Sequence, residues 1–167
     1  MKTIVAAIDF SDTTTIVIDT AVQLAHALHA EIVLFHATPP SGTWLMAGLD
    51  GLTAAGMLHP VLWERQQQDI LQQHLDNLIT QVQKQGLTVR SHTTSAVQRN
   101  AICQALESLH PDFIVIGSHR HGSLYELLGP GICSRIVRRA PCPVVVVHSQ
   151  PSASSSPAKH SNTNANA

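Results

Sequence analysis

The segment that decides the fold runs from Gly117 to Val147 and reads GSHRHGSLYELLGPGICSRIVRRAPCPVVVV. It follows Phe113–Ile116, an apolar run typical of a buried strand. A loop of Ser, His, Arg and Gly comes next, then a helical pattern that two prolines end, and Val144–Val147 reads as a final buried strand. Strand, glycine loop and helix start are the layout of an anion-binding site, because glycine admits backbone N–H groups and a helix N-terminus is partly positive.

The helical pattern inside this segment has one apolar face. Spacing of three to four residues predicts that this face packs on the sheet. The residues expected on it are Ile132, Ile136, Val137 and Ala140.

The first part of the chain predicts a parallel crossover unit. Two apolar runs, Thr3–Ile8 and Ile32–Ala37, read as buried strands, and a helical pattern lies between them. Ser11 or Asp12 is the expected N-cap of that helix. Its expected buried residues are Val17, Ala21, Leu24, Ala25 and Leu28.

The middle of the chain adds a helix, an edge strand and a further helix. The first helix is expected from Pro60 to about Gln85, the edge strand over Leu87–Thr94, and the next helix from about Asn100. Five strands alternating with four helices predict an α/β fold, a parallel sheet of order 3-2-1-4-5 with helices on both faces. A ligand is then expected where the strand order reverses, beside Asp9 and Gly117.

Two segments stand apart from this pattern. Residues 38–59 are longer than the usual connection of about 2–6 residues, and they read as a surface loop or as a lid or partner-contact loop. Residues 149–167 are mostly Ser, Asn, Ala, Pro and Thr, which bury little apolar surface. We therefore expect a domain over residues 1–148 and a disordered C-terminal tail over residues 149–167.

Composition narrows the class of function. A net charge of −1 gives no reason to expect nucleic-acid binding. No run of about 18 apolar residues is present, so no membrane span is expected. Three widely spaced cysteines form neither a CxxC pair nor a disulfide framework, which favours a reducing cytoplasm.

The segment quoted first resembles the signature of the universal stress protein family. That signature is Gly, two residues, Gly, nine residues, Gly and then Ser or Thr, and an Ala-Pro-Cys-Pro-Val strand normally follows. Gly117 matches the first glycine and residues 140–144 match the strand. Arg120 and Pro130 stand at the second and third glycines, and Gly131 stands at the Ser.

The resemblance implies an adenine nucleotide alpha hydrolase-like fold that binds ATP or AMP, with Mg²⁺ in the case of ATP. The nucleotide-binding positions it implies are Asp9, Ala37, Ile116, Gly117, His119, Arg120, Gly122, Gly129, Gly131, Ile132 and Cys133. It also implies a homodimer paired through the last strand, at Val144, Val145, Val146 and Val147. A further protein partner would be of unknown identity.

Other chemistry in the sequence leaves alternatives open. Asp9 could cap the following helix or, as the family resemblance implies, help to hold a cation shared with phosphates. His119 and His121 could form a metal pair, but no third ligand is evident, so no metal site is assigned. Cys133 near a helix N-terminus could have a lowered thiol pKa.

No catalytic residue is assigned, because no nucleophile and base stand out together. The resemblance allows at most slow ATP hydrolysis. Two functions therefore remain: a regulatory module that binds an adenine nucleotide, and a dimeric interaction protein of the same fold that has lost nucleotide binding.

Overall fold

The computed structural model describes residues 1–38, 60–95, 101–118 and 132–148. Five strands and four helices lie in these segments. In chain order they are β1 (Lys2–Ile8), α1 (Thr14–Leu28), β2 (Ala30–Thr38), α2 (Pro60–Gln83), β3 (Val89–Ser95), α3 (Ala101–Ser108), β4 (Phe113–Ser118), α4 (Ile132–Arg139) and β5 (Val144–His148). The expectations for the loop at 39–59 and for the tail fall outside the described residues.

The five strands form one parallel sheet in the order β3-β2-β1-β4-β5, which confirms the predicted order. In β1, Ile8 lies beside His36 of β2, and Ala7 lies beside Ile116 of β4. The chain leaves β1 toward β2 on one side and reaches β4 on the other. The order therefore reverses between β1 and β4, and this is the point at which open α/β sheets bind ligands.

The sheet is buried on both faces because alternate residues of its central strands enter two separate apolar clusters. Ile4 and Ile8 of β1 belong to the cluster that includes α1 and α2. Val5 and Ala7 belong to the cluster that includes α3 and α4. Helices thus cover both faces, as the alternation of strands and helices predicts.

Helix α1 buries the predicted stripe, with Val17, Ala21 and Ala25 almost inaccessible to solvent. Its N-cap, however, is Thr13, so the prediction of Ser11 or Asp12 is wrong. Thr13 makes no side-chain capping bond, and the amide of Thr14 donates to the Ser11 carbonyl. The Ser11 hydroxyl is bonded elsewhere, as described below.

Helix α4 buries a narrower stripe than the sequence predicts. Ile136 is buried, and Cys133 and Ala140 pack beside it against the sheet. Val137 is 49% exposed, so its predicted burial is wrong. A stripe through positions 133, 136 and 140 leaves Val137 on the flank of this short helix, toward solvent.

The described segments contain neither a candidate membrane span nor a candidate metal cluster. No helix in them is both long and apolar enough to cross a membrane. Nor do three or more His, Cys, Asp or Glu side chains gather there in a way that could hold a metal ion. The three cysteines of the chain, Cys103, Cys133 and Cys142, are all free thiols.

Candidate functional site at the carboxyl ends of β1 and β4

Asp9 follows β1 directly and is only 7% exposed. Its Oδ1 accepts hydrogen bonds from both the amide (3.1 Å) and the hydroxyl of Ser11. The Ser11 hydroxyl lies 2.9 Å from Thr13 Oγ1. The carboxylate therefore closes the turn between β1 and α1, as Asp side chains do locally, and the N-cap of α1 is left to Thr13.

Gly117 lies near the end of β4, against the start of α1. A Cβ atom placed on it would lie 2.5 Å from Thr13 Oγ1 and 3.0 Å from Thr13 Cβ. Real Cβ contacts are longer than this, so the approach of α1 to β4 requires glycine at position 117. Packing alone is a sufficient reason for this glycine.

Cys133 lies in the first turn of α4 and is half-buried. Its thiol donates a hydrogen bond to the Gly117 carbonyl, with Sγ 3.3 Å from the oxygen. Burial raises the pKa of this thiol, and the charge of Asp9 raises it further, against a smaller opposite effect of the Cys133 amide. The lowered pKa that the sequence left open is therefore not found, because loss of solvation has the largest effect on this thiol.

The other expected site residues divide into two groups. Ala37 of β2 and Ile116 of β4 are buried in the apolar cluster that includes α3 and α4, and Ile132 begins α4. The rest, His119, Arg120, Gly122, Gly129 and Gly131, lie outside the described residues. The structure thus brings Asp9, Gly117 and Cys133 together and carries Ala37 on the neighbouring strand.

A cluster of aromatic rings lies beside the site. The sequence analysis did not predict this cluster. Phe10 adopts a left-handed backbone conformation, with φ of 59°, immediately after Asp9. Its ring centroid lies 4.9 Å from that of His36 on β2 and 5.6 Å from that of His74 on α2. Ring contacts between distant segments leave no local sequence signal.

His36 is the buried member of this cluster, at 8% exposure. Its Nδ1 lies 3.0 Å from the Ile8 carbonyl oxygen, which fixes Nδ1 as the protonated nitrogen that donates. Burial lowers the pKa of this imidazole, while the Ile8 carbonyl and the charge of Asp9 oppose the change. The lowered pKa favours the neutral form of His36.

These features define a class of protein. An open parallel sheet of this strand order, with helices on both faces, is a doubly wound α/β fold, a class whose members commonly bind ligands at the switch point. The sequence model of the Universal stress protein family matches residues 1–148. The chain belongs to the universal stress protein family.

Individual relatives agree with this assignment. Universal stress protein A homolog 1 of Coxiella burnetii is 28% identical over 156 residues, which are 87% of this chain and 95% of that protein. A family member from Arabidopsis thaliana, solved with AMP bound, is 16% identical with a TM-score of 0.56, covering 92% of this chain and 98% of its own. A universal stress protein in complex with cAMP is 19% identical with a TM-score of 0.55, covering 88% and 96%. Those two structures share the fold.

Proposed function

We propose that this universal stress protein is a regulatory protein that binds an adenine nucleotide at the carboxyl ends of β1 and β4. The observation that carries the proposal is the meeting of Asp9, Gly117 and the first turn of α4 at the switch point. Two proteins of the same fold hold AMP and cAMP, which supports an adenine ligand. ATP and AMP are the candidates.

The proposed ligand would run across the edge of the sheet. Adenine would lie near Ala37 at the end of β2, with backbone contacts near Ile116 of β4. The phosphates would lie by Gly117, Ile132 and Cys133, at the N-terminus of α4. The backbone N–H groups of a first helical turn have no helical partners, and the helix dipole favours an anion there.

A divalent cation would bind at this site only together with the phosphates, which would supply further ligands. Asp9 is one carboxylate, and Mg²⁺ usually combines one or two carboxylates with phosphate oxygens and water. The cation would neutralise phosphate charge that Asp9 would otherwise repel. The chain's own part is to fix the carboxylate, through the two hydrogen bonds from Ser11.

The sequence of the phosphate loop favours a weakened ATP site. Pro130 offers no N–H group, and Gly131 offers no hydroxyl. Arg120 brings a charge that can pair with phosphate in place of lost backbone contacts. AMP has a single phosphate and needs fewer contacts with this loop, so its affinity should be reduced less than that of ATP.

A second candidate function is a dimeric interaction protein that binds no nucleotide. It is favoured by the departures from the glycine signature at Arg120 and Pro130. It is favoured also by β5, an edge strand of four valines of which Val146 is 37% exposed.

The two functions are separated by calorimetry with ATP and AMP on the native protein, Arg120→Ala and Arg120→Gly. Arg138→Ala, which removes an exposed arginine of α4, is the matched control. The nucleotide proposal expects native binding, and weaker ATP binding by Arg120→Ala, most clearly at low salt. Binding that appears only in the Arg120 variants would show that Arg120 blocks the site, and the second function would replace the first.

A further inference from the structure

Phe10 has an unusual backbone conformation. Among the described residues, three that are not glycine have a positive φ: Phe10, His29 and His110. His29 and His110 follow helices, where the left-handed conformation is common. Phe10 lies instead between β1 and α1, and a bulky side chain in this conformation crowds its own backbone. Such strain persists only where surrounding contacts offset it, and it is concentrated at functional and switching sites.

Two sets of contacts hold Phe10 in this conformation. The local set is the turn itself, because Asp9 Oδ1 accepts a hydrogen bond of 3.1 Å from the Ser11 amide and so encloses Phe10. The distant set is made by rings. Phe10 contacts the rings of His36 on β2 and His74 on α2, with centroid distances of 4.9 and 5.6 Å, in the range of favourable aromatic pairs. We call these three rings the ring latch.

The two histidines of the ring latch belong to different parts of the fold. His36 is buried in the sheet, and its Nδ1 donates to the Ile8 carbonyl, so its position is fixed. His74 is exposed and lies on α2 beside the buried Leu75. The contact between Phe10 and His74 therefore joins α2 directly to the β1–α1 turn.

The ring latch lies near the point where α2 begins to pack on the sheet. The described side chains of α2 that precede Leu71, at positions 66, 68, 69 and 70, are all exposed. Leu71 packs against the apolar cluster, and Leu75 and Val82 are buried in it. A displacement of the exposed first part of α2 would therefore reach His74 before it reached the rest of the packed helix.

We propose that Phe10 is a strained switch whose ring couples the packing of α2 on the sheet to the conformation of the β1–α1 turn. While α2 is in place, the contacts with His36 and His74 offset the strain of Phe10. When α2 moves away, the contact with His74 is lost, Phe10 relaxes toward a negative φ, and the bond between Asp9 and Ser11 opens. This turn leads from β1 at the switch point into α1, so α2 becomes a surface from which the candidate site is regulated. The regulatory step rests on the proposed function, whereas the coupling does not.

The test uses variants at both ends of the contact. His74→Ala removes the ring on α2, and His74→Phe retains a ring. Phe10→Gly removes the other ring and adopts the same φ without strain, whereas Phe10→Ala removes the ring and keeps a Cβ in the left-handed conformation. His26→Ala is the matched control, since it changes an exposed histidine of α1. Melting followed by circular dichroism verifies that every variant is folded.

Hydrogen exchange of the Ser11 amide, followed by NMR, reports opening of the turn, because this amide donates to Asp9. We expect His74→Ala to speed this exchange about fivefold, the factor that corresponds to one aromatic pair. His74→Phe and His26→Ala should exchange as the native protein does. An unchanged rate in His74→Ala, or an equal increase in His26→Ala, would overturn the coupling between α2 and the turn.

The variants of Phe10 separate strain from packing. Phe10→Gly should leave the Ser11 amide as protected as it is in the native protein, whereas Phe10→Ala should speed its exchange. Adding His74→Ala to Phe10→Gly should have no further effect on Ser11, since the ring that carries the coupling is absent. Equal exchange rates in Phe10→Gly and Phe10→Ala would show that backbone strain has no part in the turn, and would refute the switch.

Hydrogen exchange with a saturating nucleotide, AMP or ATP, tests the regulatory step. A ligand that prefers the closed turn should, by linkage, slow exchange in α2 around His74. Phe10→Gly should bind the nucleotide without this slowing. Slowing that persists in Phe10→Gly, or its absence in a native protein that binds nucleotide, overturns the regulatory step while the proposed function stands. If calorimetry finds that the native protein binds neither nucleotide, the proposed function and the regulatory step both fail, and the exchange rates of Ser11 alone decide the coupling.

Discussion

The side chain of Thr13 occupies the space that any side chain at position 117 would need. A Cβ on Gly117 would lie 2.5 Å from Thr13 Oγ1, at the contact between α1 and β4. Two explanations for this glycine therefore exist, close approach of a phosphate and close packing of a helix. They predict different responses to mutation, because only the packing explanation depends on Thr13.

Gly117→Ala should destabilise the fold by about 1–3 kcal/mol, the usual range for overpacking a closed contact. Thr13→Gly opens the space, and glycine is tolerated at an N-cap. In the double variant, Gly117→Ala should therefore cost much less than it does in the native background. Urea denaturation of the four proteins gives the coupling energy of this cycle.

Gly86 provides the control for this cycle. A Cβ on Gly86 would meet nothing within 4 Å, but its φ of +79° is a left-handed conformation. Gly86→Ala should cost about 1 kcal/mol through backbone strain, and Thr13→Gly should not relieve it. Equal costs of Gly117→Ala with and without Thr13 would contradict the packing explanation.

The pKa of His36 gives the stability of the fold a pH dependence. Burial lowers this pKa in the folded state below the usual value of 6.5, so the unfolded chain binds a proton at a higher pH than the folded one. Stability should therefore be fully present above about pH 6.5 and fall as the pH drops below it. His36→Asn keeps a donor for the Ile8 carbonyl and removes the titration, so its stability should fall less steeply.

Urea denaturation from pH 7.5 to pH 5 measures this difference. His26→Gln, which changes an exposed histidine of α1, is the matched control and should follow the native curve. Parallel curves for the native protein and His36→Asn would show that His36 is not the group responsible.

Most of the fold could be predicted from the sequence because strand burial and helix periodicity are local signals. The order of the strands follows from right-handed crossovers once β3 is recognised as a polar edge strand. The N-cap of α1 could not be predicted, because Ser11, Asp12, Thr13 and Thr14 are all polar residues suited to a cap or first turn. The choice among them depends on Asp9, which engages Ser11, and on distant Gly117, which packs against Thr13.

The candidate site was predictable only in part, for a related reason. Topology alone brings Asp9 and Gly117 to the switch point. The burial of Cys133 and the contact of Phe10 with His36 depend on how the helices pack against the sheet. For this reason the sequence left open a lowered pKa for Cys133, whereas its burial raises the pKa.

The Cys133 thiol should be slow to alkylate at neutral pH, because burial and Asp9 both raise its pKa above the ordinary 9.0. Asp9→Asn keeps an oxygen that can accept from Ser11 and removes the charge. It should shift the alkylation midpoint of Cys133 to lower pH, though burial remains. Cys142 is an internal control, since burial and Asp112 are what raise its pKa, and its midpoint should not move. A Cys133 midpoint unchanged by Asp9→Asn would show that the two groups do not interact.

The proposed homodimer pairs through β5, so mutations in β5 test its assembly. Two valines of this strand differ in their exposure to solvent. Val145 packs against the apolar core, whereas Val146 is 37% exposed. Val146→Lys should therefore give folded monomers, because lysine on an edge strand opposes pairing with a second strand. Val145→Lys should instead lower the stability of the domain, since it places a charge against the apolar core. Val137→Lys changes a still more exposed valine, on α4, and should leave the assembly intact. Sedimentation velocity at micromolar concentration measures all three. A native protein that sediments as a monomer would refute pairing through β5, and a dimer that survives Val146→Lys would place the interface elsewhere.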